Sequence, residues 1–417
     1  MKPIRISGAL LLVAGIVLPG PDVMGANGSH APIVIASDSD FAACNCVTGG
    51  SGTTTDPFVI GPWTINSARS GNAAVYIDGT SLTTSFTLFN LTIAGNGASS
   101  SIGIVLNHIN PSGLPAISAA VTGTLTSIQS AGIGIVVENS SFVTLDGGGS
   151  NPGGAGIGMA AGAIAKNFTG AIDIENSDSI TVKGWQLSAN GQDNSPDYIA
   201  FDPSLAHWGV GAVRLFGSSN TLVDHNAANN CTTVSFSVFN SNHNTISNNT
   251  ADYPFSSNVL ITDGSSFNLV GNNVFSTADF VGILVADPLP GTSTLNLYGP
   301  AHDNVIQGNV DHSDGPTGAE RHAGVAPSFV GGIVILNGTF NNRILNNQAF
   351  ASAGAVLAWA QAIPDATSPI GVAAEPPIIH CNVTTSEGGG GVANHNGNVW
   401  SGNSTTPGVV DSCIPPQ

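Results

Sequence analysis

Short runs in which apolar and polar residues alternate recur along most of the chain. Examples are "GIVLN", "GIVVE", "AIDIE" and "GIVIL", and each run is bounded by Gly, Asn or Ser or lies close to them. A spacing of two residues between apolar side chains is typical of a β-strand, whereas a helix shows a period near 3.6 residues. The pattern therefore predicts an all-β chain.

An asparagine-rich motif accompanies these runs at intervals. Its frame is Asn, any residue, an aliphatic residue or Trp, two further residues, and Asn. Copies are "NTLVDHN" at 220, "NTISNNT" at 244, "NLVGNNV" at 268, "NVIQGNV" at 304, "NRILNNQ" at 342 and "NVWSGNS" at 398. Weaker copies begin at 86, 143 and 180. Such repetition indicates a solenoid, whose units bury their apolar faces only by stacking.

The repeating unit is strand, turn, strand, turn in about 24 residues, which fits one coil of a parallel β-helix and is too short for a four-stranded propeller blade. We predict a single-stranded parallel β-helix of about 10–12 coils with short terminal caps. Its parts are a signal peptide (1–31), an N-terminal cap with the first coil (32–66), the repeats (67–405) and a C-terminal tail (406–417).

Stacked coils place equivalent residues about 4.8 Å apart. The third position of the frame then forms an apolar column that includes Leu222 and Ile246. The sixth position holds an amide in the later copies, where stacked side chains can hydrogen-bond to one another. We predict a buried ladder, capped by His225, that consists of Asn249, Asn273, Asn309, Asn347 and Asn403.

The charge balance limits the partners. The chain has 26 Asp and Glu against eight Lys and Arg, a formal net charge of −18 at pH 7. A surface of this sign repels phosphate backbones, so no nucleic-acid partner is expected. An acidic polysaccharide would need local cations or a metal ion to offset the same repulsion.

One surface ion pair is also predicted. Lys183 and Asp146, at the outward fourth position of the frame, should form it.

The N-terminus has the features of a secretory signal. Two basic residues precede an apolar segment, Gly8 to Leu18, that is too short to span a bilayer, and small residues follow at Ala26 and Ala31. We expect cleavage near 26 or 31 and a mature protein in the periplasm or at the cell surface, without a membrane span.

An oxidising compartment permits disulfides, and the chain has five cysteines. Cys381 and Cys413 lie near the last coil, where a disulfide between them would pin the C-terminal cap. Cys44 and Cys46 precede the first coil and are interpreted as a feature of the N-terminal cap, because their spacing does not match a metal site. Cys231 is expected to be buried.

The intervals between motif copies lengthen where insertions interrupt the coils, and such loops carry the binding surfaces of solenoids. Insertions 189–208 and 311–328 both follow the first strand of their coil, so they should leave the same corner, four rungs apart. Insertions 287–300 and about 360–377 should leave another corner, two rungs apart.

The first pair of insertions could wall a groove for a sugar chain, in which carboxylates and histidines transfer protons. With the coils between them, they supply the catalytic candidates His207, Asp224, His225, His312 and Arg321. The candidates for ligand binding are Asp193, Asp197, Asp202, Trp208, Asp311, Asp314 and His322. Alternatively, the acid-rich stretches hold Ca²⁺ through oxygen ligands, or these residues merely solvate the loops. No other cofactor is indicated.

The stretch "GSGTTTDPFVIGPWTIN" at 50–66, followed by "VYIDGTS" and "FTLFNLTI", resembles the opening coils of right-handed parallel β-helix proteins. This pectate-lyase-like superfamily of PbH1 repeats includes NosD-like proteins and carbohydrate-binding and sugar-hydrolase (CASH) domains. The resemblance covers about residues 50–405 and implies a right-handed coil, a fold that hosts many activities.

With the N-terminal signal, this resemblance leads us to expect a secreted protein that binds an extracellular polysaccharide or a surface partner, and we expect a monomer. One alternative is a lyase or glycoside hydrolase acting on polysaccharide in a groove of the β-helix. Another is a NosD-like periplasmic maturation factor, although three Met offer few soft ligands for copper. The enzymes' motifs are incomplete: the nearest match to the polygalacturonase Gly-His-Gly is "RHAG" at 321, and "LVDHN" at 222 lacks the arginine motif of pectate lyases.

Overall fold

The structure is a computed structural model, and it describes most of the region that carries the repeats. The described residues are 28–66, 73–95, 101–129, 131–149, 163–165, 170–188, 190, 211–231, 234–252, 254, 257–276, 278, 281–286, 299–312, 331–336, 339–350, 355–361, 379–380, 398–401, 403–406 and 409–410. The signal segment therefore lies almost wholly outside them and remains a prediction.

Each coil contributes one strand to each of three sheets, which we number in the order in which a coil visits them. Strands are numbered along the chain. The first sheet contains β3 (Val47–Gly49), β4 (Phe58–Ile60), β7 (Phe86–Phe89), β10 (Ala119–Thr122), β13 (Val143–Asp146), β16 (Thr181–Lys183), β19 (Leu222–Asp224), β22 (Thr245–Ser247), β25 (Leu269–Gly271), β28 (Val305–Gln307), β31 (Arg343–Leu345) and β35 (Val399–Ser401).

The second sheet has equally short strands. It contains β1 (Gly28–His30), β5 (Trp63–Asn66), β8 (Thr92–Ala94), β11 (Ser127–Gln129), β14 (Ala163–Ala165), β17 (Gln186–Ser188), β20 (Ala227–Asn229), β23 (Thr250–Asp252), β26 (Val274–Ser276), β29 (Val310–His312), β32 (Gln348–Phe350) and β36 (Ser404–Thr406).

The third sheet has the longest strands. It contains β2 (Ile33–Ile35), β6 (Ala73–Asp78), β9 (Ile102–Asn107), β12 (Ile133–Glu138), β15 (Gly170–Glu175), β18 (Val213–Phe216), β21 (Phe236–Phe239), β24 (Ser257–Thr262), β27 (Val281–Val285), β30 (Gly331–Leu336), β33 (Ala355–Gln361), β34 (Ile379–His380) and β37 (Val409–Val410). A helix, α1 (Asp38–Ala43), and a 3₁₀ turn (Gly79–Ser81) lie near the N-terminus.

The pairing confirms the predicted all-β parallel β-helix. Successive coils pair in parallel in all three sheets, and the exceptions among the described strands are β3 with β4 and β33 with β34, near the two ends. The sequence reasoning was wrong about the number of strands in a coil, which is three. The first and second strands are separated by a corner of only two residues, such as 248–249, so one motif copy had looked like one strand.

The N-terminal end of the solenoid is closed by α1. Phe41 of this helix is buried, with its ring centroid 5.3 Å from that of Phe58 and 6.1 Å from that of Phe86. A disulfide joins Cys44 to Cys46 immediately after the helix, which agrees with the interpretation of this pair as a cap feature. The Cys381–Cys413 pair lies outside the described residues.

One apolar column from the first sheet fills the core. Val121, Leu145, Val182, Val223 and Ile246 are each buried and pair one above the other.

Cys231 is buried as predicted, and burial raises the pKa of its thiol to about 12.

The motif copy at 220 is out of phase by one residue. Val223, not Leu222, faces inward, because the frame of that copy begins at Thr221, whose N–H donates to the side chain of Asn244. The sixth position is therefore Asn226. Its N–H donates to Oδ1 of Asn249, so Asn226 and not His225 begins the amide ladder.

In the asparagine ladder at the corner between the first and second sheets, the side-chain amides have hydrogen-bond partners for both their oxygen and their nitrogen. The Nδ2 group of Asn273 donates to Oδ1 of Asn309 at 2.9 Å and to the carbonyl oxygen of Ile246 at 2.9 Å. Its Oδ1 atom accepts from the backbone N–H of Asn249 at 2.9 Å and from Nδ2 of Asn249 at 3.1 Å. The same pattern continues through Asn309, Asn347 and Asn403.

A second ladder, which the sequence reasoning did not identify, occupies the corner between the third and first sheets. It is formed by the first Asn of the frame, and its members are Asn244, Asn268, Asn304, Asn342 and Asn398. Every described residue that directly precedes a rung of either ladder has a positive φ, as at Asn248 (55°) and Asn272 (56°). The two adjacent asparagines of "NN" thus differ in role. The first adopts the positive φ that turns the chain and lies outside the solenoid, and the side chain of the second hydrogen-bonds inside it.

One corner turn contains a buried acid. Thr262–Asp263–Gly264–Ser265 closes with a bond from the N–H of Ser265 to the carbonyl oxygen of Thr262 at 3.2 Å. The side chain of Asp263 is 2% exposed, and its carboxylate meets no hydrogen-bond donor in the described part of the chain. Desolvation by burial raises the pKa of Asp263 from 3.8 to about 6.

We expect Asn273→Leu to lower the melting temperature, because it removes the acceptor of Asn249 and a donor to Ile246. Each buried group left unsatisfied costs about 1–3 kcal/mol. Asn272→Gly, at the exposed neighbouring position with positive φ, is the control and should shift stability by less than about 0.5 kcal/mol. Equal melting temperatures for wild type and Asn273→Leu in a thermal scan would contradict the energetic role of the ladder.

Asp263→Asn should gain stability relative to wild type as the pH rises from about 3.8, and the gain should be complete above about pH 6. Because the folded-state pKa exceeds the unfolded value, the carboxyl group stabilises the fold most below pH 3.8, and this contribution is lost as the pH rises through 6. Asparagine removes the charge and tolerates the positive φ of 54°. The measurement is the difference in melting temperature from wild type between pH 4 and pH 8, with Asp252→Asn as control. A difference that does not change with pH would contradict the assignment.

Candidate functional site

The long insertions leave the solenoid at the corners that their spacing predicts. The first pair lies between second-sheet and third-sheet strands, β17 to β18 and β29 to β30, four rungs apart. The second pair follows the third-sheet strands β27 and β33, two rungs apart. The candidate residues on the insertions lie outside the described residues: His207, Arg321, Asp193, Asp197, Asp202, Trp208, Asp314 and His322.

Asp311 and His312 do not belong to an insertion. They form strand β29 and pair with Phe275 and Ser276 of the preceding coil. Strand alternation therefore turns Asp311 into the interior, where it is buried, and leaves His312 partly exposed on the outer face. The prediction that Asp311 lines an external groove is wrong, whereas His312 remains a surface candidate.

Asp224 and His225 form a side-chain pair at the corner between the first and second sheets. Nδ1 of His225 lies 2.5 Å from Oδ2 of Asp224. The other carboxylate oxygen accepts from Oγ of Ser247 and from Nδ2 of Asn248, both at 2.8 Å. The pair lies at a different corner from the insertions, so strand β20 separates it from the predicted groove.

The electrostatics of this pair fix the proton on one nitrogen. Burial raises the pKa of Asp224, but hydrogen bonds from Asn248, His225 and Ser247 and the charge of His225 outweigh that effect and hold the pKa below 3.8. An ionised carboxylate only accepts, so Nδ1 of His225 carries the proton and Nε2 is left as an acceptor in the neutral ring. That arrangement suits proton transfer.

Lys183 and Asp146 form the predicted ion pair on the rungs below. Their charged atoms are 3.1 Å apart and partly exposed. Exposed pairs of this kind contribute about 0–1 kcal/mol, so this pair contributes little to stability.

A line of exposed and partly exposed rings follows the corner between the third and first sheets. We call it the aromatic rail, and it consists of His243, Phe267, His302 and Phe340, one from each of four successive coils. Ring centroids are 5.1 Å apart for His243 and Phe267, 6.2 Å for Phe267 and His302, and 4.6 Å for His302 and Phe340. Nδ1 of His302 also lies 2.8 Å from Oδ2 of Asp303.

The rail contains an aromatic residue in a backbone conformation that aromatic residues rarely adopt. Phe267 has φ of 57° and is 53% exposed, and Phe142, four coils below, has φ of 56° and is 63% exposed. Asparagine occupies the equivalent place at 220 and 341. A bulky residue at positive φ is strained, and strain of this kind is enriched at functional sites without being confined to them.

The outer face of the first sheet lies between the rail and His225. We call it the platform, and it is formed by the outward residues of β19, β22, β25, β28 and β31, namely Leu222, Asp224, Thr245, Ser247, Leu269, Gly271, Val305, Gln307, Arg343 and Leu345. Gly271 leaves a flat centre, and Arg343 is exposed at the upper end. The platform thus combines ring edges, amides, an imidazole and a guanidinium on one side of the solenoid.

The sequence reasoning missed the rail although a signal for it was present. His243 and Phe267 directly precede the first Asn of a motif copy, a place at which the copies at 304 and 342 have Asp and Asn, and His302 and Phe340 lie one residue earlier in their copies. An aromatic residue at such a turn position departs from turn chemistry. Comparing the residue before each motif copy would have identified Phe267.

A buried ion cluster lies on the outer side of the third sheet. Nε and Nη2 of Arg214 donate to the two carboxylate oxygens of Asp173 at 2.7 and 2.9 Å, and Nη2 also contacts Glu175. Asp173 and Arg214 are buried. Because the guanidinium fork is engaged by carboxylates, the cluster stabilises adjacent strands; removing one partner would leave a buried charge.

Two features are absent from the described residues. These residues contain no group of three or more His, Cys, Asp or Glu placed to hold a metal ion. No helix among them has the length and apolar character needed to cross a membrane.

Comparison with known proteins gives a family and several similar folds. The model of the family described as right-handed beta helix region matches residues 73–296, more than half of the chain. No curated protein sequence matches the chain.

Similar solved structures share little sequence with this chain. The alginate lyase from Paenibacillus sp. str. FPU-7 is 11% identical, with 91% of this chain and 97% of that chain covered, at a TM-score of 0.40. The Dettilon tailspike protein (gp208) is 14% identical, with 91% and 61% covered, at 0.48. The catalytic domain of a GH87 alpha-1,3-glucanase in complex with nigerose is 17% identical, with 74% and 51% covered, at 0.37. Similarity at this level assigns no activity.

Proposed function

Since the chain belongs to the right-handed β-helix family, a fold that presents long flat faces, we propose that it binds an extracellular polysaccharide along the platform. The observation that carries the proposal is the aromatic rail, in which Phe267 is kept exposed at a positive φ. Exposure and strain both oppose folding, so a ligand is the reason that best accounts for this residue.

The chemistry of the face suits a sugar chain. Sugar rings present apolar C–H patches beside hydroxyl groups, and aromatic side chains provide apolar surface in a rigid form. Exposed amides at Asn248, Asn272 and Asn346 line the opposite edge of the platform and can both donate and accept. The rungs repeat about every 4.8 Å, so a polymer that runs along the solenoid meets the same groups repeatedly.

The charge of the protein favours a neutral glycan. The formal net charge of −18 repels acidic polymers, and Lys183 on this side is already paired with Asp146. Arg343 and the imidazoles of His225 and His302 supply donors on the platform side. An extracytoplasmic location, with residues 1–31 as the secretory signal, is part of this proposal.

Phe267→Asn should abolish or strongly weaken binding to a neutral polysaccharide while leaving the protein as stable as wild type or more so. Asparagine relieves the strained conformation but removes the ring between His243 and His302. Phe142→Asn is the matched control: it relieves the same strain four coils away and should retain binding. Affinity electrophoresis on neutral and acidic glycans measures binding, and thermal scans measure stability.

Two outcomes would contradict this proposal. Equal loss of binding in both variants would mean that the rail is not the binding surface. Absence of binding by the wild type to every neutral and acidic glycan in the panel would remove polysaccharide as the ligand class.

The Asp224–His225 pair favours a second candidate function, degradation of the bound polysaccharide. An ionised carboxylate that orients an imidazole is an arrangement found in general acid–base catalysis, and this pair is at the edge of the platform. His225 would then move a proton at Nε2, and Asp224 would hold the ring.

If the protein cleaves its ligand, His225→Asn should eliminate product formation while binding survives. Asparagine fits the positive φ of 53° but supplies no basic nitrogen. His108→Asn, another histidine at positive φ (51°) far from the platform, should leave turnover unchanged. The assay measures new reducing ends or unsaturated products. Product formation that persists at the wild-type rate in His225→Asn would exclude the pair from catalysis.

A further inference from the structure

The disulfide in the N-terminal cap encloses a very short loop. Cys44 and Cys46 are two positions apart, so only Asn45 lies between them. A disulfide stabilises a fold mainly because it restricts the unfolded chain, and this restriction grows with the number of residues enclosed. A loop with one intervening residue restricts the unfolded chain least, so stabilisation of the cap accounts poorly for this bond.

The backbone of both cysteines is held by contacts other than the disulfide. The N–H group of Cys44 donates to the carbonyl oxygen of Asp40 at 2.9 Å, at the end of α1. Nε1 of Trp63 donates to the carbonyl oxygen of Cys46 at 2.7 Å. Asn45 adopts a φ of 53°, which asparagine tolerates better than most residues. The two sulfur atoms therefore stay neighbours when the bond between them is broken.

The two cysteines differ in their access to solvent. Cys46 is fully buried and belongs to the apolar core, whereas Cys44 is partly exposed and packs against that core. Thiol–disulfide exchange requires that the attacking sulfur reach its target. Sγ of Cys44 is therefore the atom at which an external thiol would attack.

Sγ of Cys44 has hydrogen-bond partners for its reduced forms. The backbone N–H of Cys46 donates to it at 3.2 Å, and a hydrogen bond of this kind stabilises a thiolate. The carbonyl oxygen of Phe41 lies 3.5 Å from the same sulfur, where it can accept the proton of a thiol. Reduction thus leaves this sulfur with partners in either protonation state.

We infer that Cys44 and Cys46 form a redox-active pair that oxidises an external dithiol. A thiolate of the dithiol attacks Sγ of Cys44. The Cys44–Cys46 bond breaks, and its electron pair goes to Sγ of Cys46, which takes up a proton.

A second attack completes the exchange. The other thiolate of the dithiol attacks the dithiol sulfur that is bound to Cys44 and releases Sγ of Cys44, which also takes up a proton. The dithiol leaves as a disulfide, having given two electrons and two protons to the protein. This activity is independent of the ligand that the platform binds.

The test uses the full chain in its oxidised form and dithiothreitol as the dithiol. After incubation in native buffer, acid stops the exchange, free thiols are alkylated under denaturing conditions, and mass spectrometry assigns the label to individual cysteines. Cys231 is a free cysteine that is labelled at every time point, so it serves as the internal standard.

We expect Cys44 and Cys46 to become labelled together while the protein stays folded. The melting temperature of the reduced protein should be close to that of the oxidised protein, and the bond should re-form in oxidised glutathione. Reduction that requires denaturant, or a large fall in the melting temperature on reduction, would overturn the inference, because the bond would then be a structural one.

Single-cysteine variants identify the sulfur that reacts. In Cys46→Ser, Cys44 should form a mixed disulfide with oxidised glutathione, and in Cys44→Ser the buried Cys46 should do so at least about 10-fold more slowly. Asn45→Gly is the control, because glycine accepts the positive φ and both sulfurs remain, so it should be reduced to the same extent as wild type. Equal rates in the two serine variants would contradict attack at Cys44. If neither serine variant folds, the labelling of the wild type decides.

Discussion

The structure depends on one hydrogen-bond pattern, in which an asparagine side chain bonds to the next coil and to the backbone of the previous one. At a tight corner the backbone N–H and C=O groups turn away from the sheet ladders and would be left unsatisfied inside the solenoid. Asn273 supplies acceptors and donors to its neighbours above and below. The corners are therefore as regular as the strands, and the coils stay in register across insertions of different length.

The ladders also determine what the surface displays. Because each ladder asparagine turns inward, the residue before it takes a positive φ and projects outward, as at His225 and Phe267. These positions recur once per coil along two edges of the first sheet, and their side chains are almost independent of the core. Both the aromatic rail and the Asp224–His225 pair consist of substitutions at or beside such positions. A surface can thus change without disturbing the packing beneath it.

The described coils depart from this regularity where charged side chains are buried. The ion cluster of Arg214 with Asp173 and Glu175 lies on the outer side of the third sheet, and Asp311 points into the core beside Gly282. Arg214 lies in β18, the strand that follows the 189–208 insertion, and Asp311 lies in β29, where the predicted 311–328 insertion begins. Polar groups in low-dielectric surroundings require specific partners, so these strands tolerate less substitution than the apolar columns.

The sequence by itself determined the repeat, the parallel β-helix, the inner asparagines and the corners of the insertions, because each follows from a local period that stacking preserves. It did not determine which side chains face the interior. His225 was predicted to lie inside and Asp311 outside, whereas the structure shows the reverse for both. A shift of one residue exchanges the two sides of a strand, and only pairing with the adjacent coil selects between them. The rail was likewise decided by tertiary structure, since its rings are 24 to 38 residues apart and meet only because coils stack.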